Sequence, residues 1–224
     1  MAERFNALEA RFAATSVDDV RHEAVLQALG DDLAGRRVLD LGCGKGGLSR
    51  LLRDRGAEVV AFDIASAMLS QADSRLMRVK GNARSLPLCS GVFDAVAIVE
   101  ALQHVLRIDD VLAEAARVLK PGGTLIVIDK NAAGLNAQRP WLPAVWVKRI
   151  DQWRGLWMYR PGDLASERWF FPSRMAARIK SAGFADIRVE HLLSPKEAER
   201  AVFRAIPRTR LLAMWSGRSA ARTR

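Results

Sequence analysis

One stretch of the sequence concentrates residues that can do chemistry: Asp40-Leu41-Gly42-Cys43-Gly44-Lys45-Gly46-Gly47. It follows the apolar pair Val38-Leu39 and precedes a segment with helical spacing. Glycines in a strand-to-helix turn let the backbone bend sharply and approach a ligand closely. A G-x-G-x-G on its own is weak evidence, and its strand–loop–helix setting strengthens it. Asp63 ends the next apolar run, 21 residues after Gly42. An acid there can accept two hydrogen bonds from the vicinal hydroxyls of a ribose. A tight turn or a helix cap would explain either feature alone. Both at this separation favour a nucleoside ligand.

The kind of nucleoside depends on Asp40, two positions before the first glycine. A carboxylate beside the loop opposes a diphosphate and suits a ligand that carries an ammonium. S-adenosylmethionine (SAM) has an ammonium, a ribose, an adenine and a sulfonium, and no phosphate. Asp40 therefore favours SAM over a nicotinamide dinucleotide, although it does not decide the matter alone.

The surrounding elements are those that could hold such a loop. Val20 to Leu29 has helical spacing after Asp19 and stops at Gly30. Short apolar runs at 37–41, 58–62, 76–79, 93–99 and 124–128 read as strands. Segments 48–55, 66–74 and 109–119 between them read as helices, the last stopped by Lys120-Pro121-Gly122-Gly123. Strands that alternate with helices, each strand almost wholly apolar, imply a parallel sheet covered on both faces. A helix is expected over 172–182, then strands near 187–191 and 211–215 around a helix near 195–205. The fold class is therefore α/β, a doubly wound sheet.

The chain has 224 residues, 50% hydrophobic and 27% charged. That is enough for one domain with a real core and excludes a disordered or collagen-like protein. No apolar run is long enough to span a bilayer. The first residues lack an apolar signal core, and two cysteines cannot make a disulfide framework, so a cytoplasmic location is expected. Residues 1–130 carry 17 Lys and Arg against 18 Asp and Glu, whereas 131–224 carry 18 against 7. All six tryptophans lie in that basic part. It should attract anionic partners, whether substrate, lipid surface or RNA.

Taken together, VLDLGCGKGGLSRLL, VVAFDIASAML, GNARSLPLCSGVFDAV, EALQHV and EAARVLKPGGTLIVID resemble the class I SAM-dependent methyltransferases, in particular the methyltransferase type 11 group. The likeness runs from about Val38 to Ile128, and AGFADIRVE resembles the family's late strand. It implies a Rossmann-like seven-stranded sheet, parallel except for its last strand, with three helices on each face. It also implies that Asp40, Gly42, Cys43, Gly44 and Gly46 hold the methionine end of SAM. Asp63 would bind the ribose, Ile64 and Met68 would pack near the adenine, and Asn82 and Ala83 would hold its edge. Many members have Asp where this chain has Asn82; an amide can still accept and donate. Glu100 would lie where cofactor and acceptor meet.

Methyl transfer from a sulfonium needs donor and acceptor held in line, with water excluded. A base is needed only if the acceptor must lose a proton early. His104 is the first candidate and Glu100 a lesser one; packing explains His104 equally well. Asp129 also ends a strand that points toward the crevice. His22 and His191 are assigned to structure, and no metal-ligand spacing occurs.

The organisation expected is a single domain over 1–224. It comprises a helical segment 1–35, a SAM-binding core 36–130, an acceptor-binding lid 131–171, C-terminal elements 172–216 and a basic tail 217–224. In the lid Trp146, Ile150, Trp153 and Trp157 form one helical stripe. Trp146, Trp153, Trp157 and Tyr159 are expected to touch the acceptor, with Lys148, Arg149, Arg154 and Arg160 at the edge. Such a lid suits a small apolar or amphipathic acceptor; a buried helix is the plain alternative. Tryptophans beside basic residues could also mark attachment to a membrane surface. RNA methylation is the second reading, supported by the basic half but by no recognisable RNA-binding module. A subunit that binds SAM or a partner without turnover is the third. The oligomeric state is left open.

Overall fold

A computed structural model describes residues 2–8, 19–157 and 167–220. Seven strands form one sheet: β1 (Arg37–Leu41), β2 (Glu58–Asp63), β3 (Met77–Lys80), β4 (Phe93–Val99), β5 (Leu119–Lys130), β6 (Phe184–Leu192) and β7 (Leu212–Ser219). Their order is β3-β2-β1-β4-β5-β7-β6. The pairs among β1 to β5 are parallel. β7 runs antiparallel to both neighbours, β5 and β6. The expected doubly wound sheet with an antiparallel last strand is therefore present.

Side chains of one strand alternate between the two faces, so each strand feeds two cores. On one face Val38, Ala95, Ala97, Ile126 and Ile128 are buried with α2 (Val20–Leu29) and α3 (Gly47–Asp54). On the other Leu39, Val96, Ile98, Leu125 and Val127 are buried with α5 (Ile108–Val118) and α7 (Pro172–Ser181). The strands are therefore nearly all apolar because both faces are covered. α2 begins where Asp19 accepts a hydrogen bond from the Arg21 N–H and ends at Gly30, as the sequence suggests.

Some boundaries differ from expectation. β5 was expected from Thr124 but already pairs at Leu119 with Phe93, and the ladder then slips to Ala95 opposite Thr124. Gly122, at φ +75°, lies in that slip, so the Pro-Gly-Gly segment makes an irregularity rather than a clean stop. β7 extends to Ser219 because its pairing with β6 continues to Phe184. The expected helix near 195–205 divides into α8 (Pro195–Ala198) and α9 (Ala201–Ala205). Two further helices matter for the site: α1 (Ala2–Leu8) and α4 (Ser66–Gln71), where Asn6 Oδ1 accepts a 3.0 Å bond from the Ala67 N–H. α6 (Ala144–Trp153) follows β5. The segment after β5 is anchored by Asn131, whose side-chain amide donates to the Arg208 and Arg210 carbonyls.

Candidate active site

A cavity of about 800 Å³ opens at the carboxyl ends of β1, β2 and β4. That is where open α/β sheets bind ligands. Gly42, Asp63 and Glu100, at the ends of those three strands, all line it. Its two ends differ in chemistry.

The glycine loop forms the first end. The Gly42 and Cys43 N–H groups both donate to the Phe62 carbonyl, at 2.7 and 3.0 Å, which ties β1's exit to β2. Gly42 has φ +84°, and a Cβ there would lie 2.4 Å from Ala101 Cβ. Only glycine fits this turn. Gly46 adopts the left-handed conformation that starts α3. It stands behind the wall and is not a lining residue, so its part is to shape the loop. Cys43 and Gly44 do line the cavity.

Two acids share this wall. Asp63 accepts 2.9 Å and 2.8 Å bonds from the Gly44 and Ala65 N–H groups. Burial raises its carboxyl above the ordinary value despite those bonds. Asp40 is buried, and Ser49 Oγ donates to its Oδ2 at 2.6 Å. Burial, with the Asp63 charge adding to it, pushes Asp40 up to about 7. Burial likewise raises the Cys43 thiol, which removes it as a nucleophile. A wall with two carboxyls raised by burial disfavours a diphosphate, and an ammonium or hydroxyl donors would stabilise their charged forms. These residues therefore fit SAM. Ile64, Met68, Asn82 and Ala83 line the adjoining part of the cavity, and Asn82 Oδ1 accepts from the Arg84 N–H at 3.0 Å.

The second end is built around Glu100, which leaves β4 at φ +49°, a rare conformation for a residue with a side chain. Its carboxylate is held between Arg21 of α2 and Lys130 at the end of β5. Arg21 also pairs with Asp19. Burial lowers Lys130 from its ordinary value. His104 lines the cavity and meets Phe5 of α1 edge-on, ring centroids 5.1 Å apart. Leu102, Val105 and Leu106 supply apolar wall. His22 lines this end too, and burial lowers its imidazole below the ordinary value.

Asp129 does not line the cavity. It is buried, raised to about 7 by that burial, and accepts from the Gln103 and Lys130 N–H groups at 3.0 and 2.9 Å. It locks the turn after β4 rather than facing a ligand.

The tryptophan stripe departs most from expectation. Trp146 and Trp153 are exposed, and neither they nor Trp157 line the cavity. Lys148, expected at an exposed edge, is buried instead. Its Nζ donates to the Glu167 carbonyl at 2.6 Å and lies 5.0 Å from the Trp169 ring centre. Tyr159 and Arg160 lie outside the described residues. The α6 face that meets the protein is the one with Ala144 and Lys148. Phe5, Arg21, Lys130 and Glu167, which the sequence did not single out, line the cavity. Lys130 alone left a local signal, as a charged residue closing an apolar strand.

Residues 39–127 match the model of the methyltransferase domain family. The chain is 33% identical over 185 residues to a demethylmenaquinone methyltransferase of Thermus thermophilus, covering 74% of this chain and 80% of that one. It is 35% identical over 156 residues to a malonyl-acyl-carrier protein O-methyltransferase of Enterobacter lignolyticus, covering 65% of this chain. The chain spans only 60% of that relative's length. The fold is similar to that of a SAM-dependent methyltransferase from Mesorhizobium loti, with a TM-score of 0.68 at 20% identity, covering 91% of this chain and 100% of that one. Sheet order, acid-walled glycine loop and these matches agree, and the chain belongs to the SAM-dependent methyltransferases.

Proposed function

We propose that this chain transfers a methyl group from SAM to a small apolar or amphipathic acceptor. The observation that carries the reading is the two-ended cavity, acid-walled at the glycine loop and mixed apolar and polar beyond Glu100. Demethylmenaquinone in one relative's name supports a small-molecule acceptor of this kind.

Bound SAM supplies a methyl group on a sulfonium, already activated for in-line displacement. Asp40, with Gly42, Cys43 and Gly44, would take the amino-acid end, and Asp63 the ribose hydroxyls. Ile64, Met68, Asn82 and Ala83 would take the adenine. Positioning and exclusion of water then supply most of the rate. Phe5 and Leu106 add apolar lining at the acceptor end. His104, which lines the cavity, would accept a proton from an acceptor hydroxyl. Glu100 already neutralises two cations, which argues for a positioning role over that of a base.

The test is calorimetry with SAM, followed by a screen of cell extract with methyl-labelled SAM and identification of the product. Binding without any labelled product would favour a non-catalytic subunit. Label in tRNA or rRNA would favour the RNA reading.

A further inference from the structure

α6 presents an apolar stripe to solvent instead of to the protein. Trp146, Ile150 and Trp153 are 59%, 53% and 85% exposed. At 3.6 residues per turn they lie within roughly 60° of one another around the helix. Arg149 and Arg154 flank that stripe, one on each side, and both are exposed. Trp141 and Leu156, just before and just after the helix, are exposed as well. Half of the large exposed hydrophobic residues among those described thus fall between 141 and 156. Exposed apolar clusters of this kind mark interaction surfaces.

The opposite face fixes the orientation. Ala144 and Lys148 are buried there, and Lys148 is bonded to Glu167, a residue of the cavity wall. The helix cannot turn its tryptophans inward without exposing that pair and unmaking its hydrogen bond.

We infer that the outer face of α6 docks on the surface of an anionic lipid bilayer, with Trp146, Ile150 and Trp153 in the interfacial layer and Arg149 and Arg154 on the headgroups. Charge complementarity selects this occupant. The exposed cations of segment 131–157 are Arg139, Arg149 and Arg154, against the single acid Asp151. Tryptophan is at home at the headgroup level, and arginines beside it are drawn to anionic lipid. RNA fits less well, because Ile150 at the centre of the stripe has no ring face on which a base could stack. The inference rests on the proposed amphipathic acceptor only for its purpose: Glu167 joins the docking helix to the cavity, so an acceptor could arrive from the bilayer. The docking itself stands or falls separately.

The test is flotation of the full chain with vesicles of phosphatidylcholine alone or mixed with phosphatidylglycerol, alongside tryptophan emission. Wild type should float with the mixed vesicles, and its emission should move to shorter wavelength. W146A/W153A should lower the vesicle affinity by at least about tenfold. R149E/R154E should do the same on mixed vesicles. Both variants change exposed side chains and should keep the wild-type melting temperature and SAM affinity. No flotation of the wild type would overturn the inference. So would flotation that neither variant weakens, or retention on tRNA without binding to mixed vesicles. Loss of SAM binding with flotation intact would instead remove the methyltransferase reading and leave the docking in place.

Discussion

Ser49 of α3 donates a 2.6 Å hydrogen bond to the buried carboxyl of Asp40 at the end of β1. The bond favours the ionised acid and opposes the burial that pushes Asp40 up to about 7. Removing the hydroxyl with Ser49→Ala should leave Asp40 protonated to higher pH. SAM affinity at neutral pH should then fall by about tenfold, the worth of one hydrogen bond to a charged group. Titration calorimetry of the variant reads this directly.

The raised Asp40 carboxyl also sets a pH dependence. Folded Asp40 keeps its proton up to about 7, whereas its ordinary value is 3.8. Between those limits the folded state binds more protons than the unfolded one, so this group's contribution to stability falls as pH rises through the window. A ligand ammonium favours the charged form, so SAM affinity should rise over the same upper range. Asp40→Asn should flatten both slopes, raise the melting temperature at about pH 8 and weaken SAM binding. An unchanged slope of affinity against pH in this variant would discount Asp40 as the ammonium's partner.

Asp63 is expected to dominate nucleoside binding. Its carboxylate is anchored by the Gly44 and Ala65 N–H groups and keeps acceptor capacity for two hydroxyls. Asp63→Ala should weaken SAM by about a hundredfold or more, since two charge-assisted bonds are lost. An unaltered affinity by calorimetry would remove the ribose assignment.

A methyl group at position 42 has no room. Gly42→Ala would place carbon 2.4 Å from Ala101 Cβ on a backbone at φ +84°. Strain and overpacking together should destabilise the fold by roughly 2–4 kcal/mol. A denaturant melt would show it as a lower midpoint with an unchanged slope.

His104 should separate chemistry from binding. If it accepts the acceptor's proton, His104→Gln should lower turnover by about a hundredfold with little change in SAM affinity. The limb of the pH–rate profile that reports a base should vanish too. Unchanged turnover would remove His104 as the base.

The fold was legible where the physics is local. β4 was read to the residue because Phe93 to Val99 is unbroken apolar chain apart from Asp94, buried on both faces. The glycine loop and Asp63 were legible because each is a short motif at a strand end. Arg21 and Glu167 were not, because they reach the cavity from distant segments and no nearby residue signals it; Lys130 left only the hint of a charge closing an apolar strand. Residues 216–219 of β7 escaped because Ser216, Gly217, Arg218 and Ser219 have no strand-like pattern; pairing with β5 and β6 holds them. The tryptophan stripe teaches the clearest lesson. Periodicity identified a single apolar face, but it does not state whether that face meets the protein or its surroundings. Lys148 on the opposite face decided it, once Glu167 gave the buried ammonium a partner.

The position of β7 has a consequence for how the molecule is made. Among the described residues it follows β6 in sequence, yet it lies between β5 and β6. During synthesis β5 therefore presents a bare row of backbone donors and acceptors until residues 212–219 leave the ribosome. A nascent chain halted before Leu212 would expose that ribbon to its neighbours and favour aggregates. The sheet therefore cannot close until β7 inserts between β5 and β6, and changes that disturb β7 should harm yield before they harm the ligand pocket.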